Sequence, residues 1–220
     1  MLVKKLIRFG EKVEGYSIPV LNEREIRAAA GILFLVMFIA IGRAGGQGDF
    51  LMLKYAVVFF LADMLIRVFI NPMYSPTLII GRWIVRNQTP EYVGAQQKKF
   101  AWYIGVVLAL TMFILIVLVN SFSPITGLIC FVCLIFLFFE SVFGICLGCK
   151  FYSLIYKEKA QYCPGEVCEV KDRHEIQKIS GKQYLIVLGY IIFMVLVVVL
   201  FNDAFSVQPH NLFGVEGGLH

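Results

Sequence analysis

Charged side chains are scarce in this chain. Of its 220 residues only 16% are Asp, Glu, Lys or Arg, while 59% are hydrophobic. A soluble domain carries about a quarter charged residues, so a globule surrounded by water is excluded. The mean hydropathy of +0.79 agrees. Histidine is scarcer still: His174, His210 and His220 are all there are, and none lies in an apolar run. A haem or a histidine-bound metal within a bilayer is therefore not expected. There is no phosphate-binding glycine loop, no Ser–His–Asp pattern and no dinucleotide fingerprint. The first 27 residues are charged and mixed, without an apolar core and cleavage site, so no secretory signal peptide is expected there. The net charge of +5 does not point to nucleic acid, because its basic residues gather in particular loops.

Long apolar runs are what the chain has instead. A spanning helix needs about 20 mostly apolar residues, and five runs qualify. They are Ala28–Ile41, extended toward Glu25 or Gly45; Phe50–Ile70, interrupted by Lys54, Asp63 and Arg67; Phe100–Phe122; Ile125–Ile145; and Tyr184–Phe201. The expected fold class is an all-α polytopic transmembrane bundle, with a lipid bilayer as its first partner. Basic residues set its orientation. Lys4, Lys5, Arg8, Lys12, Arg24 and Arg27 precede the first run. Arg82, Arg86, Lys98 and Lys99 lie between the second and third. Lys150, Lys157, Lys159, Lys171, Arg173, Lys178 and Lys182 lie between the fourth and fifth. Of the remaining connections, one holds only Arg43 and the others no Lys or Arg. The alternation predicts a cytoplasmic N-terminus and an external C-terminus, in a bacterial inner membrane.

These runs divide the chain into an interfacial segment (1–24), a four-span core (25–156), a cytoplasmic cysteine-containing loop (157–182), a fifth span (183–202) and an external tail (203–220). Asn22 reads as a helix N-cap, with Glu25 completing a capping box. "YSPTLIIGRWIVRNQ" and "LVKKLIRF" read as short amphipathic helices at the headgroup layer. "REIRAAAGILFL" and "KKFAWYIGVVLAL" echo one another, each followed by a span with an acid, Asp63 or Glu140, in its cytoplasmic third. That pattern suggests two repeated hairpins forming a four-helix core.

The six cysteines fall into three pairs. Cys146 and Cys149 stand at the end of the fourth run as C-x-x-C. Residues three apart share a helix face, and a reactive thiol needs a helix N-terminus or a cation nearby. A break at Gly144 with a helix restarting at Cys146 supplies the first, and Lys150 the second. Plain packing is the competing reading, since a free Cys behaves as a small hydrophobe. Cys163 and Cys168 in "CPGEVC" are folded toward each other by the Pro–Gly turn. The four together approach zinc-site spacing, so zinc competes with thiol–disulfide or persulfide exchange; no other cofactor is expected. Cys130 and Cys133, among apolar residues only, read as packing. Charges within spans are costly and mark a polar interior. Asp63, Arg67 and Glu140 are expected to converge beneath Cys146, handling protons or an anionic sulfur species.

"VLNEREIRAAAG", "NPMYSPTLIIGRWIVRNQTPEYVGAQQKKFAW" and "GICLGCKFY" together resemble the bacterial membrane family known as domain of unknown function 4395, over roughly residues 16–156. Its members often accompany thioredoxin-like and rhodanese-like sulfurtransferase genes. The resemblance implies sulfur or thiol handling, with Cys146 and Cys149 as the reactive pair and a thioredoxin-like or rhodanese-like partner. On this reading Cys163 and Cys168 resolve or relay, and Glu140 moves protons. The competing class is a transporter or channel for a small sulfur-containing anion. A third is a structural module clamped by zinc at Cys146, Cys149, Cys163 and Cys168.

Overall fold

The computed structural model describes residues 9–148 and 180–211. It is a helical bundle. Strand β1 (Val20–Asn22) runs directly into helix α1 (Glu23–Gln47), which ends at Gly48. Helix α2 (Leu51–Leu65) continues through a π-helical turn, Ile66–Ile70, and stops at Asn71 and Pro72. A 3-10 turn (Pro72–Tyr74) leads to the short α3 (Pro76–Ile84). The pattern then restarts. β2 (Tyr92–Gly94) runs into α4 (Ala95–Met112), extended by a π segment, Phe113–Leu118. After β3 (Ser121–Phe122), α5 (Pro124–Phe138) ends in a third π turn, Phe139–Phe143. Helix α6 (Gly181–Ser206) and β4 (His210–Asn211) close the described chain.

Among the described residues, four helices are long and apolar enough to cross a membrane: Glu23–Gln47, Ala95–Leu118, Pro124–Phe143 and Gly181–Ser206. The segment Leu51–Ile70 joins them in the bundle but carries Lys54, Asp63 and Arg67. The protein is thus a helical membrane protein. Its apolar residues divide between a core, with Leu33, Met37, Phe60, Met64, Trp102, Met112 and Ile116 buried, and an outward face that includes Leu35, Phe38, Val107, Leu128 and Phe131. The outward face fits lipid, where apolar exposure has no hydration cost. Helix α6 is apolar all round and is tied on by polar groups. Tyr190 donates to the Phe59 carbonyl at 2.6 Å, Gln183 to the Met73 carbonyl at 2.9 Å, and Lys54 Nζ to the carbonyls of Phe205 and Val207 at 3.0 and 2.5 Å. Lys54 interrupts an apolar run because it caps orphan carbonyls at the C-terminal end of α6.

The echo between the two halves is a repeat of structure. Val20 to Tyr92 and Glu23 to Ala95 are both steps of 72 residues. The same step carries Gly48 (φ 67°) onto Asn120 (φ 52°), the two left-handed residues that end α1 and the α4 segment. It carries Phe50 onto Phe122, whose rings meet at 5.1 Å, and the start of α2 onto the start of α5 within one residue. β1 and β2 pair antiparallel, Leu21 opposite Val93, as a two-fold axis between the halves requires. Helix α3 packs most extensively on α1, and the four segments of the two hairpins pack in a ring, α1 with α2, α2 with α4, α4 with α5, and α5 with α1. That ring maps onto itself under the same exchange. Asp63 and Glu140 are not counterparts, however: the step carries Val68 onto Glu140.

Short elements refine two expectations. Asn22 is the N-cap, accepting from the Arg24 N–H at 3.1 Å. Glu25 does not close a capping box with the backbone; it accepts from Asn22 Nδ2 at 3.0 Å and from Arg82 Nε at 3.0 Å. Helix α3 starts with Ser75 as N-cap and Pro76 at N1. It buries Leu78, Ile79 and Arg82 and leaves Trp83 and Ile84 outward, so it is an inward-packed helix with one apolar edge. Gly81 permits that packing, since a Cβ there would stand 2.6 Å from the Glu25 carbonyl oxygen. "LVKKLIRF" lies outside the described residues, apart from Phe9, whose ring meets Trp102 edge-on at 5.7 Å.

Candidate functional site

All the charged residues predicted to matter, where described, lie at the end of the bundle that carries the β1–β2 pair. They form two separate clusters, which corrects the expectation of a single convergence. In the first, Asp63 is fully buried and saturated. Its Oδ2 accepts from Arg67 Nε at 2.8 Å and Thr77 Oγ1 at 2.7 Å. Its Oδ1 accepts from Ser75 Oγ at 2.8 Å and the Thr77 N–H at 3.0 Å. Arg67 also donates to Ser75 Oγ at 3.2 Å and, closely, to Thr77 Oγ1, with its Cζ 5.2 Å from the centre of the Trp102 ring. Asn71 and Pro72 break the chain after the π turn and return Ser75 and Thr77 to the pair. A buried ion pair is tolerable only when its remaining donors and acceptors are matched, and here both oxygens of Asp63 and the Nε and Nη2 of Arg67 have partners. Asp63 and Arg67 therefore join α2 to α3, with both oxygens of Asp63 taken up by Arg67, Ser75 and Thr77.

The second cluster is Glu23, Lys98 and Glu140. Lys98 Nζ lies 2.7 Å from Glu23 Oε2 and 2.8 Å from Glu140 Oε1. The β1–β2 pairing brings it about by aligning the starts of α1 and α4, so that Glu23, the first residue of one, faces the first turn of the other. The π turn ending α5 adds Glu140. Sequence reasoning counted Lys98 only as a loop charge and passed over Glu23. The available signal was the cap: Asn22 at the N-cap puts Glu23 inside the helix at the edge of an apolar run.

Glu140 also lines a small cavity with Cys146, Cys133, Trp102, Met64 and Phe60. It has about 40 Å³ of room for the centre of a water-sized sphere. Cys146 is buried, 5% exposed. The chain reaches it by the expected break: Gly144 is left-handed at φ 64°, with the Arg27 guanidinium about 3.3 Å from where a Cβ would stand. Arg27 Nη2 donates to the Val142 carbonyl at 3.0 Å, holding the π turn from the other side. Leu147 and Gly148 are helical again. Gly148 lies flush on α4, where an added Cβ would be 2.5 Å from Ala101 Cβ and 2.7 Å from its Cα. That close approach seats Cys146 at the cavity wall. Cys149, Lys150, Cys163 and Cys168 lie outside the described residues. Cys130 and Cys133 are buried within α5, Cys130 Sγ lying 3.9 Å from Met112 Sδ. Among the described residues no three His, Cys, Asp or Glu side chains come together as a metal site.

A third arrangement flanks these. Arg82 bridges Glu25 at 3.0 Å and Glu11 at 3.7 Å. Burial pushes the Glu11 carboxyl up from its ordinary range, with Arg82 pulling it back. Arg24 pairs with Glu91 at 2.5 Å and, with Arg27, Gln88 and Ser141, lines an open cleft of about 340 Å³.

A helical membrane bundle with a thiol, a carboxylate and a buried lysine at one end is the class of protein that fold and site define. Within that class, the chain belongs to the family described as Domain of unknown function (DUF4395), whose sequence model matches residues 21–157. No curated protein and no solved structure matches the chain significantly.

Proposed function

We propose that this protein takes part in thiol or sulfur redox metabolism. Cys146 and Cys149 are its reactive pair, exchanging a disulfide or persulfide with a thioredoxin-like or rhodanese-like protein at the cytoplasmic face of a bacterial inner membrane. The observation that carries the reading is the cavity Cys146 shares with Glu140. A thiol exchanges as its thiolate, and a carboxylate at the same wall can take and return its proton. The Gly144 break turns the chain out of α5 before Cys146, and the cysteine is not simply one more apolar position of that helix. Cys163 and Cys168 act as the resolving or relaying pair. The open cleft of Arg24 and Arg27 favours a second reading, in which a small sulfur-containing anion is bound and moved. Metal content decides the zinc-clamped alternative.

The test is acid trapping of the native protein, alkylation, and mass spectrometry of each cysteine, with metal content measured on the same sample. A disulfide or persulfide on Cys146 or Cys149 that interconverts with added thioredoxin or sulfide is the expected result. Cys146→Ser abolishes it, and Cys130→Ser, at a thiol that lies against Met112 outside that cavity, does not. Reduced, inert Cys146 and Cys149 refute the reading. Uptake of labelled anion that survives Cys146→Ser favours the second.

A further inference from the structure

The cluster of Glu23, Lys98 and Glu140 is unbalanced in charge. Two carboxylates share one ammonium, and the side chains are 3%, 1% and 15% exposed in that order. Fully ionised, the three carry one net negative charge in a setting with little water, which is costly unless it is neutralised. Glu23 Oε1 sharpens the point. It is buried and has no hydrogen-bond partner among the described residues. A buried carboxylate oxygen without a donor is expensive; a carboxylic acid brings its own donor and sheds its charge.

Among the described residues, no second cation forms an ion pair with either carboxylate. Arg27, one turn along α1 from Glu23, is half-buried and near enough to act on Glu23 through space, but its hydrogen bond goes to the Val142 carbonyl and not to either carboxylate. From α4, Lys99 turns to the rings of Phe9 and Tyr103, at 4.9 and 6.0 Å. The Asp63–Arg67 pair, across Trp102, is closed on itself. From the segment after the π turn, Cys146 faces the shared cavity.

We propose that Glu23, Lys98 and Glu140 form a proton-binding site, in which one proton is held on the carboxylate pair and exchanged through Glu140. The site has a closed end at Glu23 and an open end at Glu140, the more exposed of the two, on a cavity with room for water. Whatever reacts in that cavity has a proton source and sink in its wall. The site spans the repeat, with one carboxylate from the first half and the other two groups from the second, so it exists only when the halves are docked. It does not depend on thiol exchange.

The experiment is infrared spectroscopy of the full chain in lipid bilayers. The readout is the C=O stretch of a protonated carboxyl at neutral pH, using unlabelled protein and protein with ¹³C-carboxyl glutamate. A buried carboxylic-acid band that moves on glutamate labelling and disappears in Glu23→Gln or Glu140→Gln is the expected result. The labelled wild-type protein refutes the proposal by itself if no acid band moves, and Glu11→Gln and Glu25→Gln set aside any band of the neighbouring buried carboxyls. Absence of a glutamate-sensitive acid band at neutral pH overturns the proposal. So does a band untouched by both substitutions in folded protein. Cysteines inert to thioredoxin beside a glutamate-sensitive band sink the thiol reading and leave the proton site standing.

Discussion

Replacing Asp63 with Asn keeps the shape of the side chain and removes its charge. In the folded protein Asp63 accepts four hydrogen bonds, from Arg67 Nε, Ser75 Oγ, the Thr77 N–H and Thr77 Oγ1. Asn retains one acceptor oxygen and turns an NH₂ toward donors, whichever way it is set. Two of the four bonds are lost, and Arg67, 1% exposed, is left as a buried cation without its counter-charge. Breaking a buried pair from one side costs about 3–5 kcal/mol. Removing both charges costs less than the two single changes together. The double variant Asp63→Asn/Arg67→Met is therefore expected to show a coupling of about 1–3 kcal/mol. Reversible unfolding in lipid–detergent bicelles measures this. Trp102 reports on the joint directly, since it lies under Arg67, and a Trp83→Phe background isolates its fluorescence. Asp63→Asn within about 1 kcal/mol of wild type, the range of an ordinary substitution, would refute the argument that this pair is a structural joint. So would loss of thiol or anion function with stability intact.

Two further outcomes follow from the geometry. Gly148→Ala drives a Cβ into Ala101 at 2.5 Å and is expected to lift the segment off α4 at a cost of about 1–3 kcal/mol. Cys146 then reacts faster with a water-soluble alkylating reagent, by roughly tenfold for each 1.4 kcal/mol. Gly31→Ala, whose Cβ meets Ser141 at an ordinary 3.8 Å, leaves that rate unchanged. At the opposite end, hydrogen bonds from Arg43 Nε and Nη2, at 3.1 and 2.8 Å, and from the Leu51 N–H hold the Asp49 carboxyl below its ordinary range. A depressed carboxyl contributes stability above its unfolded value and loses it as pH falls through the folded one. Unfolding midpoints against pH should therefore show an acid-side decline that Asp49→Asn reduces. Added salt weakens the effect, because the pair is exposed.

Much of the fold was legible in one dimension because a bilayer imposes a length and an apolarity on any helix that crosses it. The apolar runs, the Asn22 cap, the break at Gly144 and the repeated hairpin all announce themselves in residue order. Glu140 beside Cys146 was legible too, from helix spacing. The partners of the buried charges were not. Asp63 and Arg67 read as a polar site because spacing shows that they are neighbours, but not that Ser75 and Thr77 fold back to saturate them. Glu23 and Lys98 stand 75 residues apart, and no local pattern joins them. Only the β1–β2 pairing, which stacks the two helix starts around a two-fold axis, sets one lysine between two carboxylates. The sequence by itself determined that the chain builds long apolar helices and where it breaks, since those depend on local transfer energies and backbone freedom. The tertiary structure decided which buried charges close on one another and which face a cavity, since that depends on distances between segments that only packing sets.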